Sequence, residues 1–229
     1  QKINKKWFNF LRISKNIADD FEKNHGIYTK FIIVAIRHLG PEKAKEAAEF
    51  AVQCKDMGVV GFGMAGDENA FETSLFKSSF DIARDGNLGL TSHAGEICGP
   101  DSVEGAIDLG VQRIGHGVRA VENKSLVKKI LDKNIMLEIC PGSNLCLGLF
   151  KTMSEHPIKE FLNSGLALSI STDDPAFFDT NLNKEYLELN KAFGWGKEIF
   201  NRLNINSVDH AFCNEEQKLK IKKQLIKKE

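Results

Sequence analysis

The sequence predicts an α/β fold whose polar chemistry gathers at one rim of a set of parallel strands, and three observations predict it. Short apolar runs alternate with helical patterns six times, at intervals of about 22 to 31 residues, which is the rhythm of βα units. The interiors of these runs are Val, Ile and Leu, whereas their tips are polar: Leu88 to Glu96 ends in His93, Gly95 and Glu96, and later runs end in Arg113 to Gly117, Glu138 to Asn144 and Ser171 to Pro175. The polar tips fall on strands three, four and six of the series, which meet at the rim of a barrel but would spread apart along an open sheet. Six strands do not close a (β/α)8 barrel, and as an open sheet they would leave two unpaired edges. The expectation is therefore a barrel whose first part is absent from these residues.

Taken in order, residues Lys2 to Asn24 place Trp7, Phe8, Leu11, Ile17, Ala18 and Phe21 near helical spacing, with Gly26 as the stop. Phe31 to Ile36 reads as a buried strand, and Gly40 with Pro41 opens an alanine-rich helix to about Lys55. The next pairs are strand Val59 to Met64 with helix Phe71 to Arg84, strand Leu88 to Ser92 with helix Ser102 to Leu109, and strand Arg113 to Gly115 with helix Ser125 to Asp132. Strand Ile135 to Ile139 with helix Ile158 to Leu162 follows, then strand Leu166 to Ile170. From Lys184 the pattern is helical: Glu185 to Phe193, Lys197 to Leu203, and a last helix from Ser207 into a Lys-rich tail. No low-complexity linker interrupts the series, so residues 1–229 read as one domain.

Composition narrows the function. The 229 residues are 42% hydrophobic and 27% charged, ordinary for a globular protein with one sizeable core. Lys plus Arg and Asp plus Glu both number 31, so no net field is available to hold nucleic acid or an anionic membrane. Five cysteines, Cys54, Cys98, Cys140, Cys146 and Cys213, lack CxxC spacing and read as reduced thiols, each a small buried apolar residue. No segment reaches the length of a membrane span, and the first residues lack the apolar core of a signal peptide, so the expected location is the cytoplasm. The sequence opens on Gln1 rather than Met, as it would if an upstream segment had been removed or left out.

The chemistry sits at the tips. His93 and Glu96 would face opposite ways in a continuing strand, but Gly95 can turn the chain and bring both to one cavity. Asp173 and Asp174 are adjacent carboxylates that repel when buried and call for a cation or a proton between them. His93 and Asp173 suit zinc, leaving His116 and Glu96 for proton work. Singly, a strand-end histidine is more often structural, and paired aspartates before Pro175 are more often a helix cap. On successive strand ends of one βα series, coincidence is the weaker account.

His93 to Glu96, Arg113 to Gly117, Leu137 to Asn144 and Ser171 to Pro175, in this order and spacing, resemble the adenosine deaminase family of metal-dependent amidohydrolases. Met64 to Glu68 resembles that family's motif on the preceding strand, and the likeness covers nearly everything from Phe31 onward. The resemblance implies a TIM (β/α)8 barrel, here strands 3–8 plus C-terminal helices, and zinc-dependent hydrolysis of adenosine to inosine and ammonia. Its partner would be a small purine nucleoside. Residue by residue, the resemblance makes His93 and Asp173 zinc ligands and Glu96 the group that protonates purine N1. It gives His116 the task of orienting the attacking water and taking its proton. It sets Asp174 against N7 and the Gly66 backbone against N3. Zinc lowers the pKa of a bound water from about 15.7 to about 7, and ring protonation makes C6 electrophilic. Burial would raise the Glu96 pKa so that it carries a proton at neutral pH.

The sequence departs from the family pattern in two places. The family's other two zinc ligands lie in a His-x-His motif on the first strand, and no His-x-His occurs among these residues. Two ligands hold catalytic zinc poorly, so the 229 residues alone are expected to be inactive. Gly63 stands where many relatives carry an Asp. Gly61, Gly63 and Gly66 satisfy a dinucleotide-type pattern, but Asp67 and Glu68 would repel a pyrophosphate. The HxE and PCxxC pair of cytidine deaminases is absent. The alternatives are deamination of adenine or another aminopurine, since sugar contacts would lie outside these residues, or a non-catalytic barrel fragment that binds a partner through its edges.

Overall fold

The structure, a computed structural model, describes residues 5–226. Residues 2–4 of the expected first helix and 227–229 of the Lys-rich tail lie outside the described residues. The chain divides into two compact units, Gln1–Thr91 and Ser92–Glu229.

In the first unit, helix α1 (Lys5–His25) buries Leu11 and sets the Trp7 ring edge-on to Phe50 at 5.4 Å, while Phe10, Ile13 and Ile17 stay exposed. Strand β1 (Phe31–Ile36) pairs in parallel with β2 (Val59–Ala65), from Ile32 opposite Gly61 to Ile36 opposite Ala65. Between them, α2 (Pro41–Gln53) starts on Pro41 and buries Ala44, Ala47, Ala48, Phe50 and Ala51, a stripe at helical spacing. The expected helix Phe71 to Arg84 is corrected. Phe71 has φ 62°, a 3-10 turn spans Thr73–Phe76, and α3 begins only at Lys77 and ends at Asp85. The core of this unit sets Phe62 edge-on to Phe80 at 5.2 Å. Strand β3 (Gly89–Ala94) begins here and runs into the second unit.

The second unit continues with α4 (Pro100–Asp108), β4 (Arg113–His116), α5 (Lys124–Asp132), β5 (Met136–Ile139), α6 (Pro141–Cys146), α7 (Ile158–Asn163) and β6 (Leu168–Ile170). It ends with α8 (Leu182–Phe193), α9 (Lys197–Asp209) and α10 (Glu215–Ile226). β4, β5 and β6 pair in parallel: Ile114 lies opposite Leu137, Leu137 opposite Leu168, and Ile139 opposite Ile170. These strand residues are almost fully buried with Ile158 and Phe161 of α7. Parallel strands covered on both faces read as continuous apolar runs, the pattern seen in the sequence.

Several boundaries differ from the expectation. β3 and β4 extend through His93 and His116, and β6 is only Leu168–Ile170. α6 is not foreshadowed by the sequence, because Pro141, Gly142, Ser143 and Asn144 carry turn signals. The expected helix from Ser207 is two helices, with α9 ending at Asp209 and α10 starting at Glu215.

Candidate active site

The second unit brings together the polar tips of β3, β4, β5 and β6. His93 is the last residue but one of β3, and the chain turns at Gly95, whose φ of 69° is available to glycine without strain. A Cβ at Gly95 would also collide with the Val103 methyl. The turn is held to the end of β4 by Gly117 N donating to Ala94 O at 3.0 Å and Arg119 N donating to Gly95 O at 2.9 Å. Glu96 thereby comes back to β4, with Oε1 3.5 Å from His116 Nδ1. The His93 ring meets the His116 ring edge-on, centroids 4.9 Å apart. That approach depends on Gly115, where a Cβ would lie 2.9 Å from His93 Nδ1.

His116 is 1% exposed and its Nε2 lies 3.8 Å from Asp173 Oδ2. Asp173 is oriented by Ser143 Oγ, which donates to Oδ2 at 2.8 Å from the first turn of α6. Asp174 is exposed, and its carbonyl accepts from Phe177 N at 2.9 Å and Phe178 N at 3.1 Å, closing the turn after β6. Burial, then the neighbouring His93, pushes His116 down to about 4 against the opposing pull of Asp173. It is a neutral imidazole at pH 7, with one nitrogen free to take a proton. His93, Glu96, His116 and Asp173 thus converge, and Asp174 borders them on the exposed side. Gly66 belongs to the first unit, at the end of β2 with φ 102°, packed against His38. In that unit the Thr91 methyl stands 3.0 Å from where a Gly63 Cβ would be, so a side chain there would have to push Thr91 aside.

The donors fit a metal. Among the described residues, His116, Cys140 and Asp173 offer nitrogen, sulfur and oxygen atoms that all lie within 4.8 Å of one another. Tetrahedral zinc with bonds of about 2.0–2.3 Å holds its donors about 3.5 Å apart. The 3.8 Å between His116 Nε2 and Asp173 Oδ2 is already close to that spacing. Cys140, expected to be no more than a small apolar residue, is the tip of β5 facing the same hollow. Burial, and then the charge of Asp173 and the nearby glutamates, raises its thiol far above the ordinary range, so it sits there protonated.

With this arrangement in hand, comparison with known proteins is decisive. The family model "Adenosine deaminase" matches residues 10–228. The chain belongs to the adenosine deaminase family. It is 44% identical over 191 residues to the adenine deaminase of Agrobacterium fabrum, an alignment covering 83% of this chain and 59% of that protein. In structure it is similar to the adenine deaminase of Arthrobacter aurescens, with TM-score 0.86 and 26% identity over 93% of this chain and 65% of that one. It also resembles the N6-methyl-AMP deaminase of Arabidopsis thaliana, with TM-score 0.81 and 27% identity over 88% of this chain and 59% of that one. The chain spans about three fifths of the length of the curated relatives it matches, 59% and 63% for two of them. The fold is the α/β architecture of the TIM-barrel amidohydrolases, as the strand-tip pattern predicts, and the chemistry of the family is hydrolysis at a purine amino group. The adenosine specificity drawn from the resemblance is not what these relatives carry; the adenine alternative matches their names better.

Two buried residues of the site received no role from the sequence, although Asn144 closes the motif Leu137 to Asn144. Asn144 and His156 are 0% and 2% exposed. Asn144 Nδ2 lies 3.3 Å from His116 Nδ1, and Asn144 Oδ1 lies 3.1 Å from His156 Nε2.

Proposed function

We propose that the complete protein is a zinc-dependent adenine deaminase that converts adenine to hypoxanthine and ammonia. The observation that carries this reading is the convergence of His93, Glu96, His116 and Asp173 from three strand tips, in a chain 44% identical to an adenine deaminase. His93 and Asp173 would hold the metal. The Asp173 carboxylate is fixed for this by Ser143, and the protonated Cys140 thiol stays outside the ligand set. Zinc held there supplies a Lewis acid that makes water acidic enough to attack near neutral pH.

The chain's own residues do the rest. Neutral, buried His116 orients the attacking water from Nε2, the nitrogen that faces Asp173. Glu96, at the turn beside it, gives a proton to purine N1 and so draws electron density from C6. Asp174, at the exposed margin, accepts from the N7–H of the purine. Adenine carries no sugar, so its imidazole edge offers that N–H to an acceptor. The five cysteines are all free, which supports a reducing compartment such as the cytoplasm.

The test is ammonia release by the zinc-loaded complete protein on adenine, adenosine and N6-methyl-AMP. Adenine should be favoured in kcat/KM by roughly tenfold or more. Glu96→Gln should lower kcat on it by about 10²- to 10⁴-fold. Preference for adenosine or the nucleotide, or full turnover by the Glu96→Gln variant, would reject the reading.

A further inference from the structure

We propose that His156, from outside the reacting centre, positions His116 through Asn144 and fixes which ring nitrogen of His116 carries the proton. The direction of the chain follows from a single donor that cannot reverse. Ile158 N–H donates to His156 Nδ1 at 3.1 Å, so that nitrogen presents its lone pair, and the proton of neutral His156 sits on Nε2. Nε2–H donates to Asn144 Oδ1 at 3.1 Å. The opposite orientation of the amide would set its NH2 group against an N–H, two donors face to face. The Asn144 NH2 therefore faces His116 and donates to Nδ1 at 3.3 Å. His116 Nδ1 is an acceptor, which leaves the ring proton to Nε2, the nitrogen 3.8 Å from Asp173 Oδ2. Glu96 Oε1, 3.5 Å from Nδ1, meets a lone pair there and not an N–H.

The three side chains are shielded from solvent. His116, Asn144 and His156 are 1%, 0% and 2% exposed, and the Phe150 ring covers His156 with centroids 4.9 Å apart. Each link therefore holds the next in orientation. Burial keeps His156 neutral, in the one state in which it both accepts from Ile158 and donates to Asn144. The backbone turn at the start of α7 is in this way connected to the nitrogen of His116 that faces Asp173 at the tip of β4. His156 touches none of the reacting atoms, so it is a positioning residue.

This inference rests on the reading of His116 as the group that orients the attacking water, and its first test does not depend on turnover. In the metal-free complete protein labelled with 15N-imidazole histidine, long-range 1H–15N spectra at pH 7 should show both His116 and His156 as the Nε2–H tautomer. An Nδ1–H tautomer at either residue would overturn the proposal without any variant having to fold. His156→Leu removes the donor to Asn144, and the His116 signal should then move to a mixture of tautomers. In the zinc-loaded protein the same change should lower kcat by about 10- to 100-fold, the usual loss when a supporting partner of a metal-site residue is removed. KM should stay within about twofold, because His156 makes no substrate contact. His156→Gln, whose amide can donate to Asn144 in the same direction, should recover most of both signals. An unchanged His116 tautomer in His156→Leu, or a Gln variant no better than Leu, would sink the proposal. A protein with the expected tautomers that turns over no purine would instead reject the proposed function and leave this wiring intact.

Discussion

His116 and Asp173 sit with φ of 62° and 58°, in the left-handed region that most residues enter only under constraint. Each such residue costs of order 1–3 kcal/mol, which persists because the surroundings over-determine it. For His116 those surroundings are near-complete burial and Asn144; for Asp173 they are Ser143. His156 makes a related point in its titration. Burial, then the neighbouring His116, pushes it down to about 3, whereas in an unfolded chain it titrates near 6.5. Above pH 6.5 both states carry it neutral and its stability is fully present. As pH falls, the unfolded chain takes up a proton that the folded chain refuses until about pH 3, so stability is lost across that window. Urea midpoints should therefore drop faster between pH 6.5 and 4.5 in the wild type than in His156→Gln. The slopes should differ by up to about 1.4 kcal/mol per pH unit. Parallel pH profiles would mean that His156 is not held neutral by the fold.

At the scale of elements, the two turns that carry the site are joined by a residue from a third. Glu185, in the first turn of α8 and 2% exposed, accepts from Gly142 N at 2.9 Å and from Thr180 Oγ1 at 2.6 Å. Gly142 must be glycine for this, since a Cβ there would collide with Glu185 Oε1. The carboxylate thus ties the start of α6, with Ser143 and Asn144, to the segment after β6, with Asp173 and Asp174. Glu185→Gln places an NH2 group where one of the two donors points, which costs about 1–3 kcal/mol for a buried unsatisfied group. Hydrogen exchange should quicken in residues 171–181 and at Gly142 and leave β4 protected; uniform protection in the variant would show that the tie carries nothing. Such ties explain what sequence reading could and could not reach. His93, His116 and Asp173 were legible because each ends a local apolar run. Gly95 was legible because only a turn brings Glu96 back. His156 and Glu185 matter through partners far along the chain and no local pattern announces them; Cys140 and Asn144 lie inside the strand-end motif Leu137 to Asn144, but the motif does not say what they touch. The segment near Phe71 and the break before Glu215 escaped because a helical apolar period continues where the backbone leaves the helix.

For the molecule as a whole, the donors that lie within one metal-sized hollow come from different βα units. His116 ends β4, Cys140 follows β5 and Asp173 follows β6, yet their ligating atoms lie within 4.8 Å of one another. Only the folded chain presents them together, so any ion they favour must stabilise the fold by mass action. The imidazole of His93 and the carboxylate of Asp173 at this hollow favour zinc over magnesium, which demands six oxygen donors and keeps its waters. Zinc at about a hundred times its dissociation constant should add about 2.7 kcal/mol to the unfolding free energy and raise the thermal midpoint as its concentration rises. Magnesium at the same concentrations should do nothing, and chelation should restore the starting midpoint. Asp173→Asn should flatten the zinc response while the metal-free protein keeps its fold, because Asn tolerates the left-handed backbone and its Oδ1 still accepts from Ser143. If the midpoint does not depend on zinc, or if the Asp173→Asn variant responds as the wild type does, the strand tips meet without forming a metal site.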